Sequence, residues 1–150
     1  MNIESLRTYC LDKKGVTESF PFDDQTLVFK VANKIFLLAG LDNPISFNVK
    51  CDPEKAIVLR EEHQEIIPGY HMNKKYWNTV YYNGTLSDDF LHQLIDHSYQ
   101  LILQSLPKAK QTEINQCVKI TNNLINLKSV DDWLNTRNHM QVKQGQSVQR

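Results

Sequence analysis

The chain is poor in cysteine and glycine, carries no net charge and contains no long apolar run. Each shortage excludes something. Cys10, Cys51 and Cys117 are odd in number, far apart and without a CxxC pair, so no disulfide framework is expected. Inert, reduced thiols in a cytoplasmic protein are the expectation. Five scattered glycines supply neither a phosphate-cradling loop nor a dinucleotide fingerprint. No apolar stretch approaches the ~18 residues of a membrane span, so no membrane association is expected. The start, MNIESLRTYCLDKKG, lacks a signal-peptide core and reads as a helix. With a formal net charge of +0, the chain as a whole has no field that gathers polyanions. The average hides an asymmetry. Residues 1–114 hold twelve Lys/Arg against fifteen Asp/Glu, whereas residues 115–150 hold five against two.

Catalytic devices are missing as well. No Ser–His or Cys–His arrangement announces a nucleophile beside its base, which argues against an enzyme. His92 and His97 are five residues apart on a helix, a rotation of about 500°, so they diverge rather than chelate a metal. His92 and Asp96 stand at i, i+4 and read as a surface pair. No cofactor signature is present.

What the chain does have is concentrated in Pro68–Thr79, PGYHMNKKYWNT. Twelve residues combine a turn signal, an imidazole, two ammonium groups, two amides and three aromatic rings. That mixture makes a poor core and suits a binding surface.

Around it, the patterning indicates an α+β fold of the order α-β-β-β-α-β-β-α: a two-layer sandwich of an antiparallel sheet with flanking helices. Asn2 caps a first helix over about Ile3 to Lys13, and Gly15 stops it. Phe20-Pro21-Phe22 reads as an aromatic hinge that pins the chain to the core. Leu27–Val31 and Lys34–Ala39 form a hairpin around Ala32-Asn33, with Phe29 opposite Phe36 and Leu27 opposite Leu38. After a turn at Gly40–Pro44, Ile45, Phe47 and Val49 alternate with Ser46, Asn48 and Lys50 as a half-buried strand. Pro53 opens a second helix to about Glu62. Tyr76–Tyr82 is a strand closed by Asn83-Gly84, where the glycosylation-like Asn83-Gly84-Thr85 is better read as a turn. Ser87 caps a third helix, ended by Pro107, with Leu91, Leu94, Ile95, Ser98, Ile102 and Leu106 as its buried stripe. A core domain over 1–110 is followed by an extension over 111–150, with a short helix near Ser129–Arg137 and a disordered end from Gln141 to Arg150.

The motifs FPF at 20–22, VFKV–KIF at 28–36, NVKCDPEKA at 48–56, PGYHMNKKYWNTV at 68–80 and HSY at 97–99 together resemble the MmcQ/YjbR family over about residues 1–110. The resemblance implies a fold related to the bacterial frataxin-like (CyaY-like) α/β sandwich and a DNA-binding role through a double-wing arrangement. Its motif residues fall here on Lys50, His71, Asn73, Lys74, Lys75, Trp77 and Asn78. The frataxin-like analogy also raises iron, but the first helix sets only Glu4 and Asp12 against Arg7, Lys13 and Lys14.

Strand parity supplies an independent expectation. If helices cover the side bearing Phe29, Phe47 and Val49, the other side presents Lys30, Asn48 and Lys50, joined by Trp77, Thr79 and Tyr81. Cations beside flat rings suit single-stranded nucleic acids and nucleotides. The candidate nucleic-acid or anion site is therefore Lys30, Lys50, His71, Asn73, Lys74, Lys75 and Trp77. Each member also has a plainer reading: Trp77 as filler between sheet and loop, His71 as a loop-fixing residue, the lysines as solvated corners. Two functions stay open, a DNA-binding or regulatory protein and a non-enzymatic module for a small anionic ligand or a protein partner. Oligomeric state is not legible.

Overall fold

The computed structural model describes residues 1–42 and 45–117. Along the chain run α1 (Ile3–Leu11), β1 (Val16–Ser19), β2 (Thr26–Val31), β3 (Lys34–Gly40) and β4 (Ser46–Lys50). Then follow α2 (Pro53–Glu62), β5 (Ile66–Pro68), β6 (Trp77–Tyr81), α3 (Asp88–Gln104) and α4 (Lys108–Cys117). All six strands pair antiparallel in the order β1-β2-β3-β4-β6-β5. The α+β class and the antiparallel sheet agree with the patterning.

Local chemistry sets the helix starts. The Asn2 side chain accepts from Ser5 N while the Ser5 hydroxyl accepts from Asn2 N, a reciprocal cap. Asp52 caps α2 ahead of Pro53, and Ser87 caps α3 ahead of Asp88 and Asp89, where the helix dipole favours anions. One side of the sheet then takes the helices. Leu27, Phe29, Leu37, Ala39, Phe47, Val49 and Val80 meet Leu6, Cys10, Ala56, Leu59, Leu91, Ile95 and Ile102 in one buried cluster. The whole α3 stripe expected from periodicity is buried, together with Tyr99 and Leu103.

The hairpin register differs from the simple two-residue expectation. Ala32 and Asn33 do form the turn, both with positive φ, and Val31 sits opposite Lys34. A β-bulge between Phe29 and Lys30 then shifts the ladder: Phe29 faces Leu37 and Leu27 faces Ala39, not Phe36 and Leu38. The extra residue is Phe36, which also points to the helices and meets Tyr99 edge-on, ring centroids 5.4 Å apart. The hinge at 20–22 also departs from expectation: Phe22 is 66% exposed and Phe20 37%, so neither pins the chain.

Two elements lack a periodic signal. Four residues, VTES, become β1 only by lying along β2. Helix α4 is polar, yet Ile114 on it is buried and approaches Gly15, where a β-carbon would be strained by the φ of +75° and would meet Ile114 Cγ2 at 3.2 Å. The division at 110–111 falls inside α4. The expected helix at Ser129–Arg137, the disordered end and part of the Gly40–Pro44 turn lie outside the described residues.

A charged pair closes the β1 side. Arg7 is 2% exposed and holds Glu18 with both Nε and Nη2. Glu18→Ala is expected to cost about 3 kcal/mol, because it removes the carboxylate from a buried guanidinium. Tyr82→Phe removes a buried hydroxyl without a hydrogen-bond partner among the described residues, and should leave stability unchanged or raise it by about 1 kcal/mol. Urea denaturation measures both.

Candidate functional site

The informative stretch is the connection from β5 to β6, residues 69–76, and most of its polar residues build it. Gly69 N–H donates to Trp77 O at 2.8 Å, and a β-carbon on Gly69 would lie 2.8 Å from Trp77 Cβ, so only glycine fits. The Asn73 side-chain oxygen accepts from Lys75 N at 2.9 Å, and its carbonyl accepts from Tyr76 N and Trp77 N. Lys74 turns its ammonium inward onto Gly69 O at 3.2 Å. The Thr79 hydroxyl accepts from Tyr70 N at 2.9 Å and donates to Asn48 Oδ1, which ties the loop to the sheet.

Sequence reasoning missed the residue that organises this loop. Arg60, in the last turn of α2, donates from Nε to Asn78 Oδ1 at 2.7 Å and from Nη2 to the carbonyls of Lys74 and Trp77. Asn78 is buried, which explains the amide at that motif position. The only signal in the sequence is an arginine among glutamates on a helix of weak amphipathicity, and that is not distinctive.

With the loop so held, other side chains remain outward. Tyr70 is 64% exposed and Tyr76 38%. His71, in a left-handed conformation, packs its ring against Tyr70 at 4.0 Å. Lys50 Nζ lies 6.0 Å and Lys75 Nζ 5.6 Å from the centre of the Tyr76 ring, within cation–π reach. Lys50 is the register partner of half-buried Trp77, and Asn48 is the partner of Thr79. The parity expectation therefore holds: indole and lysine share the face away from the helices. Lys30 lies on that face opposite Ile35, two strands and so about 10 Å of sheet from Lys50. Tyr76, at the centre, was not among the residues picked from sequence.

Helix α3 reaches through to fix the strand that carries Lys50. Pairing of β3 with β4 stops at Leu37–Val49. At the next rung the Ser98 hydroxyl takes the place of a backbone bond, accepting from Lys50 N at 2.9 Å and donating to Phe36 O at 2.5 Å. Beside it His97 Nε2 accepts from Asp52 N at 3.1 Å. Burial, then the nearby Lys55 charge, holds the His97 imidazole below its ordinary value, the neutral state this bond requires; Asp52 opposes both. Cys51 N donates to Tyr76 O at 2.7 Å, joining strand end and loop. His92, far from this region, stacks on Tyr9, and Asp96 accepts from the Tyr9 hydroxyl and Lys13. Among the described residues no group of three or more His, Cys, Asp or Glu is placed to hold a metal ion, and no helix is long and apolar enough to cross a membrane.

A two-layer α+β sandwich with cations and exposed rings at one end of the sheet face turned away from the described helices defines the class. The chain belongs to the YjbR family, whose model matches residues 11–101. It is 35% identical over 112 residues to Uncharacterized protein YjbR of Escherichia coli (strain K12), covering 74% of this chain and 95% of that protein. Uncharacterized protein YbdF of Escherichia coli O157:H7 is also 35% identical over 112 residues, 74% of this chain and 92% of that one. Among solved structures, Deinococcus radiodurans protein DR2400, with family-model domain DUF419, superposes with a TM-score of 0.73 at 38% identity. That match covers 76% of this chain and 88% of the other. A crystal structure from Pseudomonas syringae gives a TM-score of 0.61 at 29% identity, covering 68% and 99%.

The His97 bond sets a pH dependence. A base whose folded value is depressed contributes stability that is complete above its unfolded value of about 6.5 and lost as pH falls through the folded one. Urea midpoints should therefore fall from about pH 7 to about pH 5 more steeply in the wild type than in His97→Ala.

Proposed function

We propose that this chain is a non-enzymatic DNA-binding protein whose lysine- and tyrosine-bearing sheet end takes single strands. The observation that carries this reading is Tyr76, an exposed ring with the Lys50 and Lys75 ammonium groups within 6.0 Å of its centre. A base stacks on such a ring while its phosphates meet the ammonium groups, and every base has a face to offer. Tyr70 and His71 extend the aromatic surface, and Lys30 extends the positive one across the sheet. Bases paired inside a duplex do not present their faces, so single-stranded DNA suits these rings better. Gly69, Asn73, Lys74, Asn78 and Arg60 serve by shaping the loop.

The polar groups around Tyr76 hold backbone and are not aligned as nucleophile and base, which supports binding rather than catalysis. Buried, unbridged Cys10 and Cys51 suit a reducing compartment, and the proposal places the protein in the cytoplasm. A second reading has its own support: Lys50 and Lys75 converge on one ring, the footprint of a single nucleotide or another small anionic ligand.

Fluorescence anisotropy with a labelled single-stranded oligonucleotide tests the proposal. Tyr76→Ala should weaken binding by about tenfold or more, and Lys50→Ala and Lys75→Ala by a few-fold each. With Lys30, Lys50 and Lys75 on phosphates, log K should fall against log salt with a slope of about −2. Unchanged affinity in all three variants refutes the DNA reading, and saturation by a mononucleotide at equal affinity favours the second.

A further inference from the structure

The opposite end of the sheet has a surface that none of this uses. Phe22, Phe20 and Leu41 are exposed there by 66%, 37% and 37%. Register brings them to one border: Ser19 faces Val28, Thr26 faces Gly40, and Leu41 N donates to Gln25 O at 2.9 Å. Asp23, Asp24 and Asp42 are exposed among them. No lysine or arginine occurs in residues 15–29 or 35–49, whereas Lys30, Lys34, Lys50 and Lys75 gather at the far end. Along its strands the sheet thus carries exposed carboxylates and phenylalanines without lysine or arginine at one end, and at the other Lys30, Lys34, Lys50 and Lys75 with Tyr70 and Tyr76, Asp52 standing among them.

We infer that the Phe20–Phe22/Leu41 surface docks on the Tyr76 end of a second copy of this chain, head to tail. Charge complementarity selects this partner and this arrangement. Two like ends brought together by a two-fold axis oppose aspartate to aspartate or lysine to lysine, a repulsion that unlike ends convert to attraction. Rings meet rings in the same contact, which buries Phe22 at the centre of a charged rim. Such a contact is heterologous, so each copy keeps one free end and the pair keeps one of each kind. The inference needs only the exposed groups at the two ends and does not rest on DNA binding.

Sedimentation velocity on the full chain, from dilute to near-millimolar protein, tests it. The wild type should show a sedimentation coefficient that rises with concentration and falls back with added salt. Phe22→Ser should weaken self-association by about tenfold. Asp24→Lys and Lys75→Glu should each be monomeric alone, and their mixture should regain a heterodimer, because each retains the end the other has lost. All three positions are exposed, and circular dichroism confirms folding. A wild type that stays monomeric throughout overturns the inference. So does self-association untouched by Phe22→Ser and Asp24→Lys, or a mixture that fails to associate.

Discussion

Arg60 is the constraint on which the candidate site depends. One planar guanidinium reaches from α2 to the buried Asn78 amide and to two loop carbonyls, Lys74 and Trp77. A lysine there could not hold three acceptors at fixed angles. Without these bonds the Asn78 oxygen would be buried and unpaired, and residues 69–76 would lose their hold on the sheet. Tyr76 and Lys75 are displayed because other residues of the same segment are occupied in holding it still. The motif therefore divides by role. Gly69, Asn73, Lys74, Asn78 and Thr79 shape the loop, whereas Tyr70, His71, Lys75 and Tyr76 are presented by it.

The helix layer contributes to a face it does not cover. Ser98 and His97 stand on α3, and their polar atoms bind the backbone of Lys50 and Asp52 at the end of β4. The bulge that places Phe36 toward Tyr99 also interrupts the ladder, and the Ser98 hydroxyl fills that rung. Core packing and the position of a surface lysine are thereby linked by one hydroxyl.

Much of this was legible in the sequence. Alternation in Ile45–Lys50 and the core-facing Val80 sufficed to put Lys50 and Trp77 on one face, because a strand's period of two leaves no freedom once one face is buried. Helix α3 was legible from its cap and stripe. The register of β2 on β3 was not, since the bulge depends on Phe36 finding Tyr99 some sixty residues away. Nor was β1, which exists only through pairing, or Arg60, whose partners lie in a distant loop. The segment Phe20-Pro21-Phe22 misled because aromatic residues are usually buried, and here they are not.

The two borders of the sheet have a consequence for assembly. On one side β5 is three residues long and ends in Pro68, which has no N–H to offer a neighbour. On the other, β1 is four residues long and carries Glu18, a carboxylate turned inward and locked by Arg7. A short strand, a proline and an inward charge are the means by which β proteins discourage an incoming strand from adding to the ladder. Growth by backbone stacking into fibrils is thus closed off sideways, and contacts between molecules are left to side chains at the tips of the strands.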